Sequence, residues 1–191
     1  RPIADRALGG TTETVFGSDG LIANFTSISG THDRWDYLLD GHYRDTDGPR
    51  DNADSRTRGA DAHLGFRDDG NGYWSADFHA YQINAGDPGR MVYPVYVANR
   101  DTTPTPFNHN WIERYTLALT ADLHPNEQTQ WVTKLWGGYQ DQASRSAAGF
   151  VAPQPPPATT VLQDLQFRYL GLDSRLLYRW DRGNALTVGI T

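Results

Sequence analysis

The chain has 191 residues, no cysteine, seventeen basic against twenty-three acidic side chains and a net charge of −6. That excludes a disulfide framework, a thiolate metal site and a thiol nucleophile, and it argues against a general nucleic-acid binder. Only 38% of residues are apolar, which leans towards a soluble or disordered chain, but aromatics reach 12%, with six Trp and ten Tyr, and disordered chains are poor in these.

Period-two alternation dominates over helical periodicity. It predicts nine strands, at roughly 11–17, 21–30, 34–46, 55–67, 73–84, 110–123, 129–141, 161–180 and 185–191. The first two alternate least cleanly, as in Leu21-Ile22-Ala23-Asn24-Phe25. From residue 31 onward the connections keep an order. Residues 31–33 are short, 47–54 longer, 68–72 short, 85–109 long, 124–128 short, 142–160 long and Pro-rich, and 181–184 short. A soluble sandwich has no reason to alternate in this way. A transmembrane barrel does, with short turns on one side of the membrane and long loops on the other. Strands of about thirteen residues at ~3.3 Å each, tilted by roughly 40°, rise about 33 Å, a membrane with its interfaces.

Parity sorts two faces. In 34–46, Trp35, Tyr37, Leu39, Gly41 and Tyr43 oppose Asp36, Leu38, Asp40, His42 and Arg44. In 55–67, Ala60, Ala62, Leu64 and Phe66 oppose Thr57, Asp61, His63 and Arg67. In 73–84, Trp74, Ala76, Phe78 and Ala80 oppose Tyr73, Ser75, Asp77 and His79. Trp35, Trp74 and Trp131 each begin a strand after a short turn, and Trp180 closes one before a short turn. All four share parity with the apolar face, which fits a membrane-interface belt. The predicted fold is all-β, an antiparallel transmembrane β-barrel with outer-membrane lipid against one face. No apolar run is long enough for a transmembrane helix.

Several segments resemble those of TonB-dependent siderophore receptors. Arg1-Pro2 is similar to the end of the segment that closes the family's plug domain. Thr14-Val15-Phe16-Gly17-Ser18 is similar to its first barrel strand and turn. Asp33-Arg34-Trp35-Asp36-Tyr37, followed by Tyr43-Arg44-Asp45-Thr46-Asp47-Gly48, resembles its "DR-YR…Y-DTDGYRDN" stretch, and Ala85-Gly86-Asp87-Pro88-Gly89 the opening of a ligand-side loop. The resemblance implies a plug inside a 22-stranded barrel in the bacterial outer membrane, import of a ferric siderophore or similar nutrient, and drive from TonB through an N-terminal region. Residues 1–191 would then be the early part of the barrel just after the plug, with the plug and the remaining strands lying elsewhere. A passive porin-like channel and a soluble all-β carbohydrate-binding module are the alternatives.

Two groups of residues are candidates for function. Asp40, His42, Asp61, His63, Asp77 and His79 fall on the polar parity of three successive strands, where they would line a wet lumen and meet the plug. Arg90, Tyr93, Tyr96, Arg100 and Phe107 in loop 85–109, with Arg145 in loop 142–160, combine cations with aromatics. Such a set suits an anionic, partly aromatic ligand such as a ferric chelate, and Phe150 stands beside Arg145 in the same loop. Asp45-Thr46-Asp47-Gly48 lacks the third ligand and the distal Glu of an EF-hand. No nucleophile elbow, phosphate loop or zinc-protease motif occurs, so neither an enzyme nor a bound metal or cofactor is expected.

Overall fold

The structure, a computed structural model, describes residues 7–91, 93–147, 160–181 and 183–191. Nine strands form one antiparallel sheet in which each pairs with its neighbours in sequence. They are β1 (Gly9–Phe16), β2 (Ile22–His32), β3 (Trp35–Thr46), β4 (Ser55–Arg67), β5 (Tyr73–Gly86), β6 (His109–Asn126), β7 (Thr129–Ala147), β8 (Thr160–Asp181) and β9 (Asn184–Ile190). A six-residue helix, α1 (Tyr93–Ala98), lies in the long connection between β5 and β6.

All nine predicted strands are present, and the main departure is in length. β7 continues to Ala147, so Arg145 belongs to a strand and not to the loop in which its sequence placed it. The reason is pairing on both sides: Arg145 stands opposite His109 of β6 and Leu162 of β8. Its neighbours Gln142-Ala143-Ser144-Arg145-Ser146 carry no apolar alternation, so the segment reads as loop although its ladder continues. Phe150 and the proline cluster of that connection, like Arg1-Pro2, lie outside the described residues.

The register turns parity into rows across the sheet. One row runs Trp35, Phe66, Trp74, Ala121, Thr133, Ser174. The next on the same face is Tyr37, Leu64, Ala76, Leu119, Leu135, Leu172, and above it come Leu39, Ala62, Phe78, Leu117, Gly137, Leu170. The fourth row is Gly41, Ala60, Ala80, Tyr115, Tyr139, Arg168, and the fifth is Tyr43, Arg58, Gln82, Glu113, Asp141, Gln166. This face therefore passes from aromatic to aliphatic to phenolic to charged. From Trp35 to Tyr43 is eight residues of strand, about 20 Å of rise at roughly 40° tilt. That is close to the ~25 Å apolar band of a membrane barrel.

The sheet has no interior of its own. Among the described residues Ala118 is the only buried apolar side chain, while Trp35, Leu64, Trp74, Phe78, Leu117, Leu119 and Trp131 are each 42–50% exposed. A soluble single-layer sheet with this surface would aggregate, whereas lipid covers such a face without cost.

The short turns lie at one rim. Asp33 and Asn71 take positive φ there (53° and 61°), which Asp and Asn tolerate best among non-glycine residues. The Asp68 carboxylate accepts hydrogen bonds from the backbone N–H of Gly70 (2.8 Å) and Gly72 (2.7 Å) and from the Trp74 indole (3.1 Å). Arg34 pairs with Asp69 across adjacent turns. The donors around Asp68, the Trp74 indole foremost, hold its carboxyl below the ordinary value, and Asp69 raises the Arg34 guanidinium further. A depressed folded pKa contributes stability above the unfolded pKa, and that contribution is lost as pH falls through the folded value. A carboxyl NMR titration in detergent is expected to place Asp68 below the usual aspartate midpoint, and Trp74→Phe is expected to move it upward.

Candidate functional site

The polar face gathers its titratable groups into two adjacent clusters. His63 of β4 bridges three partners: its Nδ1 lies 2.6 Å from Asp77 Oδ1, and its Nε2 lies 3.1 Å from Asp36 Oδ1 and 3.0 Å from the Tyr73 hydroxyl. Tyr73 donates to Asp36 Oδ1 at 2.9 Å, and Arg67 Nη1 stands 3.4 Å from Asp36 Oδ2. The second cluster pairs His79 Nδ1 with Asp61 Oδ1 at 2.5 Å. Asp40 lies directly opposite Asp61 in the ladder, and His42 packs over Gly59 beside Tyr81.

Of the six sequence candidates here, the structure joins His63 to Asp77 and His79 to Asp61. His42 makes ring contact only, at 6.4 Å from Tyr81. Asp36, Tyr73 and Arg67 are central to the first cluster without having been singled out as candidates. Their polar-face parity was visible, but which neighbour each leans towards depends on the register.

Asp36 is completely buried, an unusual state for a carboxylate, and its Oδ2 has no hydrogen bond. Asp40 Oδ1 is likewise buried without one. Buried carboxylate oxygens without a partner are costly; Arg67 offsets part of that cost at Asp36 Oδ2, which leaves Asp40 Oδ1 as the one with neither hydrogen bond nor ion pair among the described residues. Gly65 creates the space for the first cluster, since a Cβ there would strike Tyr73 and Asp36. Gly65→Val is expected to expel the Tyr73 hydroxyl and to destabilise the sheet by about 1–3 kcal/mol in urea unfolding. Gly41→Ala, where a Cβ meets nothing within 4 Å, is expected to change little.

At the opposite rim the long connections are knitted together. Asn52, at φ 57°, directs its Nδ2 at the carbonyls of Thr105 (2.8 Å), Asn108 (2.8 Å) and Asp87 (3.2 Å). Arg50 donates to the Gly89 carbonyl at 2.8 Å, and the Asp51 N–H donates to Asp101 O at 2.7 Å. Thr105 and Asn108 are buried by this packing. The connection between β3 and β4 thus clamps the one between β5 and β6, and the loops form a platform. Arg50 and Asn52 continue the Asp45-Thr46-Asp47-Gly48 stretch, whose Asp/Gly/Pro-rich composition announced a turn but not a clamp.

On that platform Tyr93 and Tyr96 sit on α1, and Arg90, Arg100 and Phe107 on its flanks. Tyr93 (77%), Tyr96 (49%) and Phe107 (53%) are exposed, as are Arg90 and Arg100. No hydrogen bond or ion pair joins these five to one another among the described residues, so the structure presents them as a surface and does not converge them. Asp45 turns to Arg56 (2.8 Å) instead of into a cation loop. Among the described residues no three or more His, Asp or Glu side chains are arranged to hold a metal ion. Asn52→Ala is expected to leave the sheet intact and to speed limited proteolysis within 87–108 by ten-fold or more, from the loss of hydrogen bonds worth about 1 kcal/mol each.

These features define a class. An antiparallel sheet of long strands in strict sequence order, apolar on one face and wet on the other, with short turns at one rim and, from β3 onward, longer loops at the other, is a nine-strand section of a transmembrane β-barrel. The crystal structure of the ferric citrate transporter FecA in its unliganded form has this fold, with a TM-score of 0.79 and 16% identity over 99% of this chain. The chain spans 29% of that protein's length. At this identity the likeness is one of fold. No family model and no curated protein matches the sequence. No helix among the described residues is long and apolar enough to cross a membrane, which has no bearing on strands.

Proposed function

We propose that this chain is part of the barrel wall of a TonB-dependent outer-membrane receptor that imports a ferric siderophore or a similar anionic nutrient. The observation that carries this reading is the match of 99% of the chain to a section of a ferric citrate transporter. Three features support it. The banded apolar face suits lipid. The titratable clusters of the polar face suit a plug packed in the lumen. The loop platform bearing Arg90, Tyr93, Tyr96, Arg100 and Phe107, with Arg145 at the strand end below it, suits ligand capture on a rigid scaffold. In this role the chain binds and guides its ligand and performs no covalent chemistry, and its partners are the plug, the remaining strands and TonB.

The membrane part of the reading is tested by folding into lipid vesicles. Leu119→Arg, on the aliphatic row, is expected to cost about 2–4 kcal/mol in lipid, whereas Thr120→Arg, one residue on and facing the lumen, is expected to cost much less. Equal costs would reject a lipid-facing surface. The transport part is tested by uptake of labelled ferric citrate and ferric catecholate chelates into iron-starved cells carrying the complete protein. Uptake is expected to need the proton-motive force and to fall when Arg90 and Arg100 are changed together to Ala. Uptake that survives de-energisation would favour a passive channel.

A further inference from the structure

The wet face changes its charge along the sheet. On β3, β4 and β5 it carries Asp36, Asp40, Asp61 and Asp77 against Arg44 and Arg67. On β6, β7 and β8 the balance reverses, with Asp122 and Asp173 against Arg114, Lys134, Arg175 and Arg179. All four of these cations are exposed. The register sets them in a descending series from the loop side to the short-turn rim. Arg114 lies level with Gln140, Lys134 with Thr120 and Asp173, Arg175 with Val132, and Arg179 comes last, beside the turn. From the level of Gln140 to that of Val132 is eight residues of strand, about 20 Å of rise at roughly 40° tilt.

Midway along this series lies a hollow of about 620 Å³. Ala118, Val132, Trp136 and Leu177 give it apolar surface, and Lys134 and Arg175 give it charge. Glycines flatten the wall here. A Cβ at Gly171 would strike the Trp136 ring, and one at Gly138 would strike the Tyr169 ring, so both aromatics lie across a neighbouring strand. Most polar groups nearby are committed. Arg175 pairs with Asp173 (2.5 Å), Asp122 accepts from the Gln130 amide (2.9 Å), and Arg114 donates to Gln140 Oε1 (2.8 Å). Lys134 is the one lysine of the chain, and among the described residues no carboxylate lies within ion-pairing distance of its ammonium.

We propose that this hollow is a transit site for a polycarboxylate chelate on its way through the lumen, separate from the loop platform that captures it. The Lys134 ammonium takes a carboxylate as a compact point charge. The faces of Trp136 and Tyr169 bear the body of the chelate, and Arg114 and Arg179 mark the way in and the way out. Three observations select a passing anion over a fixed contact with the plug. The cations form a series along the direction of passage, where an anchor needs a single spot. The opposite half of the wall is anionic and turns an anion towards them. Lys134 is exposed and uncommitted, and a site on a conduction path has to release what it binds.

This inference rests on the import reading above, and the test separates the two. Cells carrying the complete protein are given labelled ferric citrate or a labelled ferric catecholate chelate. Surface binding is measured on de-energised cells, and the uptake rate on energised ones. Lys134→Gln is expected to leave surface binding unchanged and to lower the maximal rate of ferric citrate uptake about ten-fold, the loss of one charge-assisted contact. Lys134→Arg is expected to keep most of the rate, and Lys134→Glu to lower it further. Arg168→Gln, which removes a cation from the apolar face of β8, is expected to change neither reading. Binding and uptake that fall together, or uptake that ignores the charge at position 134, would overturn the site while leaving the import reading intact. So would entry of a bulky hydrophilic antibiotic into cells carrying Lys134→Gln without any chelate, because Lys134 would then be holding the plug. A wild type that binds and imports neither chelate would overturn both.

Discussion

The whole structure depends on one constraint: a single-layer sheet has to satisfy every backbone group along its ladder and hand both of its faces to something else. Among the described residues nothing packs over either face, and Ala118 is the one apolar side chain that is buried. The apolar rows are left for a solvent that makes no hydrogen bonds. In such a solvent the ladder cannot be opened cheaply, because each unpaired amide would cost several kcal/mol. Across the apolar rows the ladders of β3 to β7 are accordingly paired on both sides, and the two register shifts lie near turns, at Leu123/Asn126 and Arg179/Asp181.

The same constraint divides the chemistry. On the apolar face charge begins with Arg168 in the phenolic row and spreads to Arg58, Glu113 and Asp141 in the next. Groups on the polar face can be ionisable throughout, and there the sheet makes cross-strand networks such as Asp36–Tyr73–His63–Asp77. Glycine has a particular use on this face. Gly65 and Gly59 remove a side chain so that Tyr73 and His42 can lie across a neighbouring strand, and Gly171 does the same beneath Trp136. The networks are therefore products of register as much as of residue type.

The two rims differ for a physical reason as well. The short-turn rim is closed by local devices, an Asx-type carboxylate at Asp68 and left-handed Asp33 and Asn71, whose range is a few residues. The long-loop rim is closed by non-local ones. Asn52 reaches carbonyls more than thirty residues away in sequence, and that reach makes a platform out of segments that would otherwise be separate.

The sequence by itself determined the nine strands, their order of short and long connections, and which side chains share a face. All of that follows from a period of two and from turn chemistry, both local. It placed His63 with Asp77 and His79 with Asp61 only as residues of like parity, and it misread Arg145 as a loop residue because a strand wet on both faces carries no alternation. The tertiary structure decided the rows, the burial of Asp36, the clamp at Asn52 and the hollow beside Lys134. Each of these depends on which residue stands opposite which across a strand pair. Register is a property of two segments at once, so it is not legible in either one alone.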